Sequence, residues 1–463
     1  MRPSQRASVS SRSPLLRRDL RLITVDGLVF SAMVGLGETW IAAFVLACGL
    51  GAQVSGLVAV VPMVAGALLG LASTRAVRRL RSRRAWVVLC AALQALALFG
   101  LAAAAWSERT PAAVAFALAA GYWAGGLATG PAWNAWIETR VPQRIRPRYF
   151  GRRTRLTQAA VFAGLLCGGL FLQEARPAGV GTWPYAVLFG LAGLLRSLSC
   201  VLLARTGEQP PLPAELEPLG ARRVVSHLLK ASDARFLLYL MAMQVAVQLS
   251  GPYFTAYMLA ELELSYATYM GLMGTAYLSR VAMSPHLGEY ARRHGVWRLL
   301  WLGALGIVPT ASLWIVSDEL PWLFATQLYT GMAWGALELA QMLLLFEAIP
   351  RRERTAVLAL FNVAHAGSQA SGALLGGWIL ATRGAQVETY FLLFGLSSAL
   401  RLLCLGILLA ARRREVPVPA APEGLGSRVV AVRPAAGALE RPILASLETT
   451  PEAEAAGDPP ARP

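Results

Sequence analysis

The sequence has few charged residues, few histidines and no closely spaced cysteines. Charged residues make up 15% of the 463 positions, whereas apolar residues make up 56% and the mean hydropathy is +0.50. A water-soluble fold could not cover so much apolar surface. The five cysteines lie in apolar stretches without CxxC spacing or nearby histidine clusters, which excludes a disulfide framework and a zinc site.

Patterns that bind nucleotides or carry catalysis are missing as well. No Gly-x4-Gly-Lys-Ser/Thr loop is present, so ATP is not the direct energy source. No metal cluster and no pair of nucleophile and base stands out. We therefore expect neither an enzyme nor a bound cofactor.

Long apolar runs take the place of charged residues. A hydrocarbon layer about 30 Å thick requires roughly 20 apolar residues per helical crossing, and backbone groups in lipid must be paired within their own segment. The runs predict an all-α membrane protein with twelve transmembrane helices, numbered 1 to 12, at 22–48, 53–74, 85–106, 111–137, 156–173, 183–204, 236–260, 266–287, 298–316, 321–348, 355–381 and 388–411.

Basic residues concentrate on one side of these helices. The chain has 43 lysines and arginines against 26 acidic residues, and all but five of the 43 lie in the two tails or in alternate connections, among them the stretch from Arg280 to Arg298. This distribution follows the positive-inside rule and predicts that both termini are cytoplasmic. Arginines spread over every cytoplasmic connection do not form a nucleic-acid surface.

The second half of the chain repeats the first. Three pairs of landmarks align at separations of 214, 208 and 205 residues: Gly37 with Gly251, Pro142 with Pro350, and Tyr185 with Tyr390. This small drift requires only short loop deletions, so we expect two pseudo-symmetric six-helix bundles. The predicted parts are an N-tail (1–20), a first bundle (21–204), a central loop (205–235), a second bundle (236–411) and a disordered C-tail (412–463).

Few ionisable side chains lie inside the predicted helices. Glu38 is in helix 1, Glu338 is in helix 10, and Arg196 and Arg401 occupy related positions in helices 6 and 12. Such groups usually face a cavity or a partner. Either acid could bind and release a proton as a cavity changes its exposure, or could be a structural hydrogen-bonded group. Three further acids lie nearer the cytoplasmic ends, where we expect solvation: Asp26, Glu138 and Glu347.

Polar residues also form stripes on otherwise apolar helices. Helix 10 carries Gln327, Gly331, Trp334, Glu338 and Gln341 on one face, and helix 7 carries Gln244 and Gln248 one turn apart. Helix 11 carries His365 on a similar stripe, as a proton relay or as a packing group. These faces are expected to contact protein or water.

The turn between helices 4 and 5 carries a family resemblance. Its residues are Gly130-Pro131-Ala132-Trp133-Asn134-Ala135-Trp136-Ile137-Glu138, then Val141-Pro142 and Arg148-Tyr149-Phe150-Gly151-Arg152-Arg153. With the six-plus-six helices, they resemble bacterial members of the major facilitator superfamily over about residues 20–411. The basic run from Arg75 to Arg84 departs from the family pattern because it contains no acid, and its copy has Arg292 at the acidic position.

The resemblance implies a site and a function. It implies that helices 1, 4, 7 and 10 line a central cavity containing Glu38, Trp123, Asn134, Gln244, Gln248, Trp334 and Glu338, to which the helix 10 stripe adds Gln341. It also implies gate or latch roles for Arg78, Arg79, Arg196, Arg292, Arg293 and Arg401. The alternative for the basic runs is that they only set the topology.

The expected function is alternating-access transport of a small organic solute, coupled to protons and directed towards export. The alternatives are a nutrient importer and a non-transporting sensor or assembly protein. We expect a monomer that crosses the bacterial plasma membrane many times, with a small-molecule substrate and no nucleic acid.

Overall fold

The computed structural model describes residues 3–142, 146–175, 181–208, 231–348 and 354–410. Twelve helices follow one another in these residues, as the sequence predicts. The first six are α1 (Pro3–Leu36, a 3-10 turn Glu38–Trp40, and Ile41–Ala47), α2 (Gly51–Val60 and Pro62–Leu80), α3 (Arg83–Trp106), α4 (Ala112–Arg140), α5 (Arg146–Ala175) and α6 (Trp183–Arg205).

The last six helices have the same order and similar lengths. They are α7 (Ala231–Gln248, a 3-10 turn Gly251–Tyr253, Phe254–Ala256 and a π turn Tyr257–Glu261), α8 (Tyr266–His294), α9 (Val296–Gly306 and Leu313–Val316), α10 (Leu320–Ala348), α11 (Arg354–Arg383) and α12 (Val387–Ala410). By length and composition, seven of the described helices, α1 to α6 and α12, could each cross a membrane.

The breaks in α1 and α7 occur at repeat-related positions. Gly37 precedes the first 3-10 turn, and Gly251 with Pro252 begins the second. Glycine disfavours a helix interior, and proline removes a backbone donor. Both breaks therefore have a local cause.

The start of α1 differs from the predicted N-tail. The helix begins at Pro3, and Asp19 is buried, where it accepts a hydrogen bond from Arg140 of α4 and another from the Gly207 amide. The helix therefore begins before the apolar run, and Asp19 within it packs against α4. The central part of the predicted 205–235 loop and the predicted C-tail lie outside the described residues.

Helix packing repeats between the halves. Within the first half α1 packs on α5 and α6, and α4 packs on α2 and α3; within the second half α7 packs on α11 and α12, and α10 packs on α8 and α9. The halves meet where α2 contacts α11 and where α5 contacts α8. Each half is therefore one six-helix bundle.

The apolar core shows how the bundles meet. We call the end of the molecule near Leu80 and Arg205 the terminal end, and the end near Ala47 and Arg383 the opposite end. One buried cluster spans both halves towards the opposite end and includes Trp40, Phe44, Tyr185, Tyr257 and Met270. At the terminal end each half has its own cluster, around Trp136 in the first and Leu300 in the second. The bundles are thus joined at the opposite end and have separate cores at the terminal end.

Candidate functional site

Glu38 lies in the 3-10 turn that interrupts α1. The residue is only 7% exposed. The Tyr122 hydroxyl of α4 donates a hydrogen bond of 2.6 Å to Glu38 Oε2, whereas Glu38 Oε1 has no hydrogen-bond partner among the described residues. Tyr122 packs edge-on against Trp123 at a centroid distance of 5.6 Å. Glu38 is therefore a buried acid inside the first half, with one neutral donor.

The same turn carries a contact to the second half. Trp40 follows Glu38 by two residues, and its ring lies 6.1 Å from Tyr266 and 5.8 Å from Tyr269 of α8. The Tyr266 and Tyr185 hydroxyls are 2.8 Å apart, which joins α8 to α6. A change in the turn at Glu38 would therefore reach the contact that closes the opposite end.

The break in α7 also carries an aromatic side chain that contacts the first half. The Tyr253 hydroxyl donates to the Ala373 carbonyl of α11, and its ring lies against Gly56 of α2. A methyl group at Gly56 would overlap that ring. The two breaks thus both carry residues that join the halves.

The halves are also linked by contacts between α5 and α8, nearer the middle of these two helices. The Tyr277 hydroxyl donates to Gln158, and the Tyr277 ring stacks on Phe162 at 5.8 Å. Sequence alone does not single out these residues, because each is an ordinary side chain for a packed helix.

Glu338 is an ion-paired acid. Arg280 Nη1 of α8 lies 3.2 Å from each Glu338 carboxylate oxygen. The Arg280 and Glu338 side chains are 10% and 18% exposed. The grouping of Arg280 with the cytoplasmic basic residues was wrong, because Arg280 is buried and pairs with Glu338. Arg280 precedes the end of α8 by fourteen residues, about 21 Å of helix, and that depth was the available signal.

Asp26 is buried as well, and the expectation of solvation there is wrong. Asp26 is 1% exposed and accepts a 2.6 Å hydrogen bond from Ser199 of α6. Ser199 in turn accepts from Arg196 at 2.8 Å, and the Arg196 guanidinium lies 4.9 Å from the centre of the Phe30 ring. A buried charge network therefore joins α1 to α6. The Glu138 and Glu347 side chains lie outside what the structure describes.

Arg401, the repeat-related arginine, has a different environment. It donates to the Ile307 carbonyl at 2.9 Å and to Thr310 at 2.7 Å, both where α9 is interrupted, and to Ser250 at 3.4 Å. Ile307 is the C-cap of the first α9 segment. The arginine thus binds acceptors that the interrupted helix leaves without helical partners.

The remaining predicted cavity residues vary in exposure. Trp123 is 4% exposed, so it is packed. Half-buried positions are Asn134, Gln244, Gln248, Trp334, Gln341 and His365. His365 lies 5.6 Å from the Phe361 ring, and Gln248 lies close to Gly372 of α11. These residues lie on four helices, α4 in the first half and α7, α10 and α11 in the second.

The basic residues in the last turns of α2 and α8 lie at the terminal end. Arg292 and Arg293 are exposed and both donate to Glu289 on their own helix. Arg78 is half-buried, and Arg79 is exposed. The contacts of Arg292 and Arg293 are therefore made within α8.

Comparisons with known proteins agree with this architecture. The family model of the major facilitator superfamily matches residues 27–364 and 236–447. Two solved structures of the nucleoside transporter NupG are similar in fold. A mutant form aligns with TM-score 0.67 and 12% identity over 84% of this chain and 99% of that one; another NupG structure has TM-score 0.61 and 11% identity over 85% and 99%. A comparison with curated protein sequences finds no match.

The match across the chain and the twelve-helix fold confirm the predicted family, the predicted fold class and a role other than that of an enzyme. The protein is a multi-pass membrane transporter of the major facilitator superfamily.

Proposed function

We propose that the protein is a proton-coupled carrier of small organic solutes that works by alternating access, and that Glu38 is its coupling acid. The observation that carries this proposal is the position of Glu38, which is buried without a neighbouring cation among its hydrogen-bond partners and lies two residues from Trp40. An ionised carboxylate is costly in such a place, and proton uptake removes that cost.

The turn at Glu38 supplies the link from proton to conformation. When Glu38 is protonated, the turn can pack Trp40 against Tyr266 and Tyr269 and keep the opposite end closed. When Glu38 releases its proton towards the terminal end, its charge favours opening of that contact, which hydrates the carboxylate and lets it take up the next proton from the opposite end. Proton binding and closure are thereby coupled through one short segment.

The orientation follows from the basic residues. Under the positive-inside rule the terminal end, where the two halves have separate cores, faces the cytoplasm of a bacterial cell. We assign export as the direction, because the aromatic and apolar surroundings of Glu38 suit an amphiphilic solute. Import of a polar nutrient is the second candidate.

The buried arginines have a structural part in this proposal. Arg196 ties α6 to α1, and Arg401 ties α12 to the interruption of α9. We assign both to holding each half rigid while the halves move. We assign the role of a gate at the terminal end to four arginines in the last turns of α2 and α8: Arg78, Arg79, Arg292 and Arg293.

The test is solute accumulation in energised inside-out membrane vesicles that contain the protein, followed by untargeted mass spectrometry with and without a protonophore. Wild type should accumulate a solute only when the proton gradient is intact. Glu38→Gln should lose this uphill accumulation at least tenfold and keep downhill exchange of the same solute, because the variant retains a neutral side chain at that position.

The matched control is Glu319→Gln, an exposed acid between α9 and α10, which should behave as wild type. Protonophore-sensitive accumulation that persists in Glu38→Gln would rule out Glu38 as the coupling acid. Accumulation only in right-side-out vesicles would assign import, and no protein-dependent flux in either orientation would favour the non-transporting alternative.

A further inference from the structure

The Arg280–Glu338 pair occupies positions that the first half fills with glycine. The separations of 214 residues for α2 and α8 and 208 for α4 and α10 make Gly66 the counterpart of Arg280 and Gly130 the counterpart of Glu338. The helix ends agree with this alignment, because α2 ends at Leu80 and α8 ends at His294, which are also 214 residues apart. The same helix crossing therefore forms without this ion pair, so the fold does not require it.

The pair is also close to the part of the molecule where the halves separate. Along the polar stripe of α10, Gln327 and Gly331 are buried, whereas Trp334, Glu338 and Gln341 are half-buried. Exposure thus increases towards the terminal end. A solute that enters between the two separate cores would meet this stretch of α10.

The geometry of the pair favours exchange of partners. Both Glu338 oxygens contact the same nitrogen of Arg280, at 3.2 Å each. An arginine fork binds a carboxylate best through two nitrogens and at shorter distances. The contact of Glu338 with Arg280 is therefore weaker than an ideal arginine–carboxylate pair, and a solute carboxylate can compete with it.

An aromatic residue precedes each of the two charges by about one helical turn. Trp334 lies one turn before Glu338 on α10, and Tyr277 lies one turn before Arg280 on α8, with Phe162 stacked on it. Rings of this kind pack against planar or apolar solute bodies. The site thus combines one anion-binding group with aromatic walls.

From these observations we propose that Arg280 binds the carboxylate of a small organic acid with an apolar or aromatic body, and that the solute displaces Glu338 from Arg280. The inference rests on the proposed transport function and specifies its solute. Glu338 is the internal competitor for the site, and it pairs with Arg280 again when the solute leaves.

The experiment uses the purified full-length protein and matched triads of probes. Each triad has one body, such as benzyl, indolylmethyl or cyclohexylmethyl, that carries a carboxylate, a primary amide or an amine. Probes retained by the protein after gel filtration are quantified by mass spectrometry. The carboxylate should be retained at least tenfold more than its amide and amine in one or more triads.

Variants separate binding from structure. Arg280→Gln should abolish the preference for carboxylates, whereas Glu338→Gln should increase carboxylate retention several-fold, because the competitor is removed. If the pair had only a structural role, both single variants would retain less carboxylate than wild type. The double variant Arg280→Gln with Glu338→Gln removes both charges of the pair and should be monodisperse without the preference. Arg383→Gln and Glu388→Gln, both exposed, should match wild type.

Equal retention of the three probe types in wild type, or a preference for amines, would overturn this inference, as would weaker carboxylate retention by Glu338→Gln. The vesicle experiment distinguishes the two proposals. Proton-driven accumulation of a neutral or cationic solute would support the transport proposal and contradict the carboxylate site. Carboxylate retention without any flux would support the carboxylate site and contradict the transport proposal.

Discussion

The two halves of this transporter share a scaffold and differ in their buried charges. Both have a 3-10 turn at the corresponding place in their first helix, but the position of Glu38 is occupied by Pro252 in the second half. The second half instead has Arg280 and Glu338 where the first has Gly66 and Gly130.

This difference teaches which groups the fold needs. The helix crossings and the turns appear in both halves, so glycine, proline and apolar packing are sufficient for them. Among the described side chains, Glu38 and the Arg280–Glu338 pair have no charged counterpart in the other half, whereas a buried arginine occurs in both halves, as Arg196 and Arg401. Charges confined to one half are therefore the best candidates for chemistry, and charges common to both are candidates for architecture.

The largest expected effect comes from the two arginines common to both halves. Arg196→Gln leaves Asp26 buried without its cation, which should cost about 3–5 kcal/mol. Arg401→Gln removes one donor from the Ile307 carbonyl and from the Thr310 and Ser250 hydroxyls, which should cost about 1–3 kcal/mol. Thermal unfolding of the purified variants in detergent measures both losses.

The acid opposite Arg196 supplies the control. Asp26→Asn should restore most of the stability lost in Arg196→Gln and none of that lost in Arg401→Gln, because only the first arginine faces an acid. Equal losses in the two arginine variants, or rescue of both, would mean that the environments of these arginines are energetically the same.

A smaller effect is expected where helices approach through glycine. Gly66 of α2 lies against the Trp123 carbonyl, and Gly331 of α10 lies against the Ala276 carbonyl, so a methyl group at either position overlaps backbone. Gly66→Ala and Gly331→Ala should each lower the free energy of unfolding by about 1–3 kcal/mol.

Two glycines with open space around them sharpen this prediction. Gly70 and Gly130 have no neighbouring atom within 4 Å of an added methyl group. Gly70→Ala and Gly130→Ala should leave unfolding unchanged or stabilise the helix by up to about 1 kcal/mol. Losses at all four positions would show that helix flexibility, and not close approach, is responsible.

Hydropathy and repeats were sufficient to predict the twelve helices and the two bundles. They depend on local composition, and lipid enforces helix wherever a long apolar run occurs. The sequence did not predict the helical breaks, because one glycine within an apolar run is compatible with continuous helix. It also missed the helical start at Pro3, which accompanies the buried contact between Asp19 and Arg140, 121 residues apart.

The site could be predicted only as a set of candidates. Glu38 and Glu338 look alike in sequence, since both are single acids in apolar helices. Their partners separate them, and those partners are 84 and 58 residues away. Arg280 was grouped with a basic connection because only tertiary packing shows that it faces Glu338. The transport roles of these residues remain predictions.

The smallest expected effect concerns the basic residues in the last turns of α2 and α8. Hydrogen bonds from Arg292 and then Arg293 lower the pKa of the exposed Glu289 carboxyl to about 2, whereas the basic run at the end of α2 contains no acid. Because the folded-state pKa lies below the ordinary value of 4.5, this contribution to stability is present above pH 4.5 and is lost as the pH falls towards 2.

Comparison of wild type with Glu289→Gln tests this sign. The unfolding temperature of wild type should exceed that of the variant slightly near pH 7, and the difference should vanish between pH 4.5 and 2 or in about 1 M salt, which screens exposed charges. Arg79→Gln, in the run without an acid, should show no such dependence on pH. A Glu289 difference that survives both acid and salt would mean that the carboxyl has a buried partner, and the two basic runs would then differ in architecture as well as in charge.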